Sequence, residues 1–140
     1  ELSYAKKIIG EKNINNVKLK GWVFYKDLEG IISKSSIGLI ILPDNFYNKY
    51  LTAPNKLFDY ISMGMPVICS DLPSIRDLLP SDHPGVIFIP SGDTVKCNEE
   101  IEKLLTDEDH YNKLQQSNIM LSDNLLWKKQ TETLIKALMK

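Results

Sequence analysis

Residues 37–70 read IGLIILPDNFYNKYLTAPNKLFDYISMGMPVICS. The first six form a continuous apolar run that Pro43 stops, because proline has no N–H to carry a ladder onward. A run without polar alternation suits a strand buried on both faces, as in a parallel sheet. Residues 44–53 carry Asn, Tyr and Lys without clear period and read as a loop. A helix is predicted to start near Pro54-Asn55 and to end at Gly64. Proline favours the first helical turn, and glycine the position just past the last. Residues 66–70, PVICS, are a second short apolar strand.

The same alternation continues outward. Leu2, Ala5, Ile8 and Ile9 recur at helical spacing with Ser3 as a candidate cap, and residues 13–16 break that helix. Val17 and Leu19, followed by Gly21-Trp22-Val23, read as a strand over 17–20 running into a turn. Leu28, Ile31 and Ile32 mark a short helix. On the far side, residues 74–79 read as a short helix, 80–85 as a turn, and Val86–Ile89 as the last strand. From Asp93, a candidate N-cap, the chain reads as helices with breaks near Asp107 and Ser122. Four short strands interleaved with helices predict an α/β fold, a Rossmann-like doubly wound parallel sheet.

A chain of 140 residues falls within the usual size of one domain. Its charges nearly cancel, with no excess positive charge to track a nucleic acid. Arg76 is the sole arginine, so two-armed arginine clamps on phosphate are nearly excluded. Any phosphate would be met by backbone N–H groups or by lysine. Two cysteines, Cys69 and Cys97, are too few for a disulfide-stapled scaffold and lack metal-ligand spacing. No apolar run approaches the length needed to cross a bilayer, and a reducing cytosol is the simplest setting.

Chemistry concentrates in residues 51–70. A buried strand, a loop and a helix start place backbone N–H groups at the carboxyl edge of a parallel sheet, where such sheets bind ligands. First-turn amides lack intrahelical partners, and the helix dipole adds about half a positive charge there. Asn55 and Lys56 sit at that end, so a diphosphate fits their amides with the Lys56 ammonium nearby. Asp59 lies one turn on, and its carboxylate matches the two donors of a ribose diol. The plainer alternative is that Asn55 merely caps the helix, Lys56 is solvated, and Asp59 favours the dipole.

PNKLFDYISMGMPVI, residues 54–68, resembles the signature of the retaining GT-B glycosyltransferases of the glycogen-synthase-like superfamily, family 4 type. A common variant of that signature reads P-N-K-L-F-E-Y, a few small residues, then G-x-P-V-I. The likeness covers most of the chain. VKLKGWV resembles the family strand that ends in glycine, IGLIILP its next strand, SDLPSIRDLL the loop and helix after the signature, and GVIFIPSGD the final strand with its helix cap. Trp127 resembles the family tryptophan entering the last helix.

The resemblance implies that residues 1–140 are the donor-nucleotide-binding half of a two-domain enzyme that transfers a glycosyl group from an NDP-sugar. Amides at Asn55 and Lys56 would hold the diphosphate, Asp59 the ribose hydroxyls, and main chain at Gly21, Trp22 and Val23 would lie against the base. The acceptor, a glycan or a lipid-linked saccharide, would bind a separate N-terminal domain. Neither a cofactor nor a metal is expected, since the NDP-sugar is a substrate. The family setting is cytoplasmic and leaves room for peripheral association of a full protein with the inner membrane face. Two family strands that precede the helix at Leu2 have no counterpart here, so the sheet is expected to be truncated on that side.

Two positions depart from the pattern. The first glutamate of the family's Glu-x7-Glu motif is Leu51 here, and the second is Asp59, whose reach is shorter by roughly 1.5 Å. Leu51 keeps a second reading in play, a catalytically degenerate nucleotide-binding or interaction module. A receiver-like module would need an acidic cluster after its first strand, and none accompanies Asp71. Asp107-Glu108-Asp109 superficially matches a metal-binding Asp-x-Asp, but between two helices acidic residues commonly cap. Asp82-His83-Pro84 reads as an exposed turn. Trp22, Phe24 and Tyr25 suit base stacking and core filling about equally, whereas Phe58, Tyr60 and Ile61 read as packing residues.

Overall fold

The computed structural model describes residues 2–139 except 82 and 126, and the backbone alone for 127, 128, 130, 133 and 134. Contacts divide the chain into two compact units, residues 1–32 and 33–140.

The first unit holds helix α1 (Leu2–Glu11) and helix α2 (Tyr25–Ile32). α1 ends at the predicted break. The Ile14 N–H donates to the Ile9 carbonyl and the Asn13 N–H to that of Gly10, with Asn13 at φ 49°. This paired closure needs one left-handed residue, which asparagine tolerates unusually well. Ser3 lies inside the first turn and does not cap it. The strand predicted over 17–20 does not form, and Val17 and Leu19 stay exposed. A strand exists only through hydrogen bonds to a neighbour, which an apolar pattern cannot itself supply.

The second unit runs β1 (Gly38–Ile40), α3 (Phe46–Tyr50), α4 (Asn55–Ser62), β2 (Val67–Ser70), α5 (Pro73–Arg76), β3 (Val86–Ile89), α6 (Thr94–Thr106), α7 (Glu108–Leu125) and α8 (Trp127–Leu138). Its strands pair in parallel in the order β1-β2-β3, with Gly38 opposite Val67 and Val67 opposite Val86. The α/β class read from the sequence is the one observed, with three strands in the sheet among the described residues.

Burial explains why these strands lack polar alternation. Val67 and Cys69 point into a cluster with Ile40, Leu57, Ile61, Leu72 and Ile75, while Ile68 points the other way toward Ile89, Leu104 and Leu114. α4 therefore covers one face and α6 the other, and α7 reaches both clusters through Leu121 and Leu114. Both sides of β2 are apolar because both sides are core. Burial, reinforced by the charge of Asp71, pushes the Cys69 thiol up to about 12, so it is a protonated, inert core group.

α4 ends as its sequence predicts. Gly64 sits at φ 66°, its N–H donating to the Ile61 carbonyl and that of Met65 to Tyr60. A Cβ there would come 2.7 Å from Ile119 Cγ1 on α7, so the same glycine admits the neighbouring helix. Asp93 caps α6 through the Lys96 N–H at 2.8 Å, and Asp107 caps α7 through His110 at 2.9 Å.

Two further expectations need correction. Residues 44–53 are not all loop: α3 forms there, with the Asn45 side chain accepting from the Asn48 N–H at 2.9 Å. A helix of five residues is too short to show a period. Ser122 does not break α7, because its Oγ donates to the Ile119 carbonyl at 2.7 Å and the hydroxyl is satisfied within the helix.

Gly38 marks the tightest contact between sheet and helix. A Cβ there would lie 2.7 Å from Tyr60 Cγ, against the flat of the ring. Gly38→Ala is expected to destabilise by about 2 kcal/mol through overpacking. In Gly10→Ala the new methyl meets nothing within 4 Å, and stability should rise by about 0.5–1 kcal/mol. Thermal melts of the two variants check this difference in sign.

Candidate functional site

The loops leaving the carboxyl ends of the three strands are sewn together. The Leu42 N–H donates to Ser70 Oγ at 2.9 Å, and Ser91 Oγ donates to the Leu42 carbonyl at 2.7 Å. Asp71 N–H donates to the Ile89 carbonyl at 2.7 Å. Ser70 is fully buried, so its hydroxyl belongs to the frame. Ser74 Oγ donates to the Asn48 carbonyl at 2.6 Å, tying the segment of α3 to α5. This edge is therefore a rigid platform, the property a binding site needs from its scaffold.

α4 opens onto that platform. Its N-cap is Pro54, and no side chain caps it. Asn55 thus does not serve as the cap. The Leu57 N–H turns back to the Pro54 carbonyl at 2.9 Å, while Asn55 and Lys56 begin the helix ahead of it. Both residues line a cavity of about 540 Å³ with Thr52, Pro54 and residues 39–42 of the β1 end. Lys56 makes no salt bridge among the described residues. The arrangement offers a helix start and an ammonium group to one concave volume, which suits an anion.

The remaining expected residues are placed differently. Asp59 is half-buried, four positions beyond Asn55 and so on the same side of α4, but it does not line this cavity. Its charge adds to burial in raising the Tyr60 hydroxyl pKa. Gly21, Trp22 and Val23 belong to the first unit. Gly21 sits at φ 68°, and Trp22 is 76% exposed in an edge-on contact with Phe24 at 4.3 Å. Trp22 therefore does not fill a core. Tyr60 and Ile61 pack as expected, Ile61 with no exposure at all, whereas Phe58 is half-buried and belongs to neither core cluster. Leu51 closes α3 and is exposed, so it presents hydrocarbon where the resemblance puts a carboxylate. Trp127 opens α8, and its side chain lies outside the described residues, as does Asp82.

A larger opening, about 950 Å³, lies between α5 and β3 and is lined by Arg76, Asp77, His83 and Phe88 among others. Its guanidinium is already engaged, both arms on the Asp71 carboxylate and its plane 4.1 Å from the Phe88 ring centre. Size alone does not make it the anion site. The Arg76 hydrogen bond holds the Asp71 carboxyl below its usual range, its own desolvation opposes this, and the Arg76 charge adds to the lowering. A carboxyl lowered in the folded state stabilises above its unfolded pKa, and that contribution disappears as pH falls through the folded value. Both side chains are about half exposed, so the pair is worth at most about 1 kcal/mol. Asp71→Asn should therefore cost up to that amount near neutrality, and the cost should shrink and vanish as pH falls through the lowered folded value, as read from urea melts across the acid range.

The sequence missed Thr52 and the β1 backbone as parts of the cavity. Only the packing of loop on strand brings them together, although a polar residue ending a buried strand, as Ser70 does, pointed to a loop anchor.

No curated protein matches the chain. Residues 3–107 do match the family model described as glycosyl transferases group 1. The matched stretch holds all three strands, α4 and the cavity at its start. With most of its length in that match and its candidate site at the carboxyl edge of a parallel sheet, this chain belongs to the group 1 glycosyl transferases.

Proposed function

We propose that the chain is the donor-binding half of a GT-B enzyme of the glycogen-synthase-like, family 4 type, working in the cytoplasm on an NDP-sugar. The observation that carries this reading is the start of α4, uncapped by any side chain and opening with Lys56 into the 540 Å³ cavity. The Asn55 and Lys56 amides take the diphosphate, and Asp59 takes the ribose diol. Negative charge grows on the diphosphate as the glycosyl bond breaks, and a helix start with an adjacent ammonium stabilises that charge without a metal. The acceptor, a glycan or lipid-linked saccharide, sits on a separate N-terminal domain, so this chain alone turns over no substrate.

Leu51 favours a second reading. An exposed leucine where the family carries a sugar-facing glutamate suits a module that binds nucleotide and no longer transfers. Calorimetric titration with UDP, GDP and ADP tests what both readings share. One of the three is expected to bind at micromolar affinity and more tightly than its monophosphate. Absence of heat with all three at millimolar concentration would overturn the proposal. Turnover by the chain joined to a cognate acceptor domain then separates transferase from degenerate module.

A further inference from the structure

Helix α3 is built inside out. Its polar residues face the fold: Asn48 Nδ2 donates to the Pro43 carbonyl at 3.0 Å, Lys49 pairs with Asp44 at 3.5 Å, and both are half-buried. Its apolar residues face solvent. Phe46, Tyr47, Tyr50 and Leu51 are 73%, 64%, 56% and 63% exposed, and the Phe46 and Tyr50 ring centres lie 5.4 Å apart. Phe46 with Tyr50, and Tyr47 with Leu51, have the spacing of neighbours on one helix side, so the four make a single surface. The Asn45 cap and the Ser74 hydroxyl hold that surface in place, although no residue of α3 is buried.

We propose that this side of α3 selects a donor whose sugar carries a methyl group, as a 6-deoxy or N-acetylated hexose does, over a fully hydroxylated hexose. The inference rests on the donor-binding reading given above. In an NDP-sugar the diphosphate lies between the ribose and the sugar. With the ribose at Asp59 and the diphosphate at Asn55 and Lys56, the sugar falls on the far side of Asn55, toward Thr52 and the end of α3. Thr52 lines the cavity and Leu51, which closes α3, precedes it directly. A protein segment would also fit an aromatic surface, but its continuity with the cavity favours the sugar. Leu51 neither donates nor accepts a hydrogen bond, so a hydroxyl turned toward it gives up water without replacement. A methyl group there gains by leaving water, and the C–H face of the pyranose packs on the Phe46 and Tyr50 rings. Leucine in place of a carboxylate is then a change of sugar preference rather than a loss of donor binding.

Calorimetry on the whole chain tests it, using the glucose, 6-deoxyglucose and N-acetylglucosamine esters of whichever of UDP, GDP and ADP binds. Each affinity is divided by that of the free diphosphate, so that changes in the grip on the nucleotide cancel. At least one methyl-bearing ester is expected to bind about tenfold tighter than the glucose ester. Leu51→Gln puts a hydrogen-bonding amide of similar size at that position and should erase the difference. Phe46→Ala with Tyr50→Ala should lower the ratio for every ester. All three side chains are exposed, so the variants should melt with the wild type, which keeps loss of binding distinct from loss of fold. A glucose ester that binds as tightly as both others, or a preference that survives Leu51→Gln, would overturn the proposal while leaving the nucleotide site standing. Failure of all three free diphosphates to bind would overturn the donor reading and this inference with it.

Discussion

Asn118→Leu is expected to cost about 2–4 kcal/mol and to lower the melting temperature by roughly 8 °C or more. Asn118 lies on α7 and is fully buried. Its Nδ2 donates to the Met65 carbonyl at 2.7 Å and to the Gly85 carbonyl at 2.9 Å. These two bonds fix the amide orientation, so Oδ1 is the acceptor for His83 Nε2 at 2.7 Å and that imidazole nitrogen carries a proton. Met65 and Gly85 lie in the turns that lead into β2 and β3, so one side chain ties the entry of both strands to a helix. Leucine fills a similar volume but leaves the Met65 carbonyl without this donor and the His83 ring N–H without its acceptor. The buried carbonyl costs about 1–3 kcal/mol, while the Gly85 carbonyl keeps the Val67 N–H at 3.2 Å. Asn118→Asp should be at least as damaging, because it turns the donor into a third acceptor facing two carbonyls. His83→Ala opens Oδ1 to water and should cost only about 1 kcal/mol. Thermal and urea melts rank the three, and an Asn118→Leu melt within 2–3 °C of wild type would contradict this role.

That residue also shows what a sequence read by local pattern conceals. Leu114, Asn118 and Leu121 fall on one helical stripe, so a polar side chain stood on the apolar face in plain view. Its partners, 53 and 33 positions away, carry no local mark. The elements that were legible are those set by neighbours in sequence: Gly64 ending α4, Asp93 and Asp107 capping α6 and α7, and the uninterrupted apolar run of β2. Those that misled depend on distant company. Residues 17–20 have the pattern of a strand without a ladder to join, and α3 rests on a cap within a segment too short to show a period. The site divides along the same line. The α4 start was readable from proline and glycine punctuation, whereas the cavity beside it is a product of packing.

Asp59→Ala is expected to weaken nucleoside diphosphate binding by roughly 100-fold, and Lys56→Ala by roughly tenfold. Two charge-assisted hydrogen bonds from a ribose diol, at about 1.5–3 kcal/mol each, set the first figure at the low end because Asp59 is only half-buried. Lys56 is exposed and acts through charge on an otherwise backbone-held diphosphate, so its effect is smaller and should shrink as salt rises. The two residues are separable by ligand. Inorganic pyrophosphate has no ribose, so its affinity should fall in Lys56→Ala and stay unchanged in Asp59→Ala. A nucleoside monophosphate keeps the ribose and should lose most of its affinity in Asp59→Ala. Asp59→Glu restores about 1.5 Å of reach and should bind at least as well as wild type. Neither alanine variant removes a core contact, so both should melt near the wild-type temperature. If pyrophosphate and nucleotide respond identically to the two substitutions, Asp59 is not the ribose ligand and the orientation of the donor along α4 is wrong.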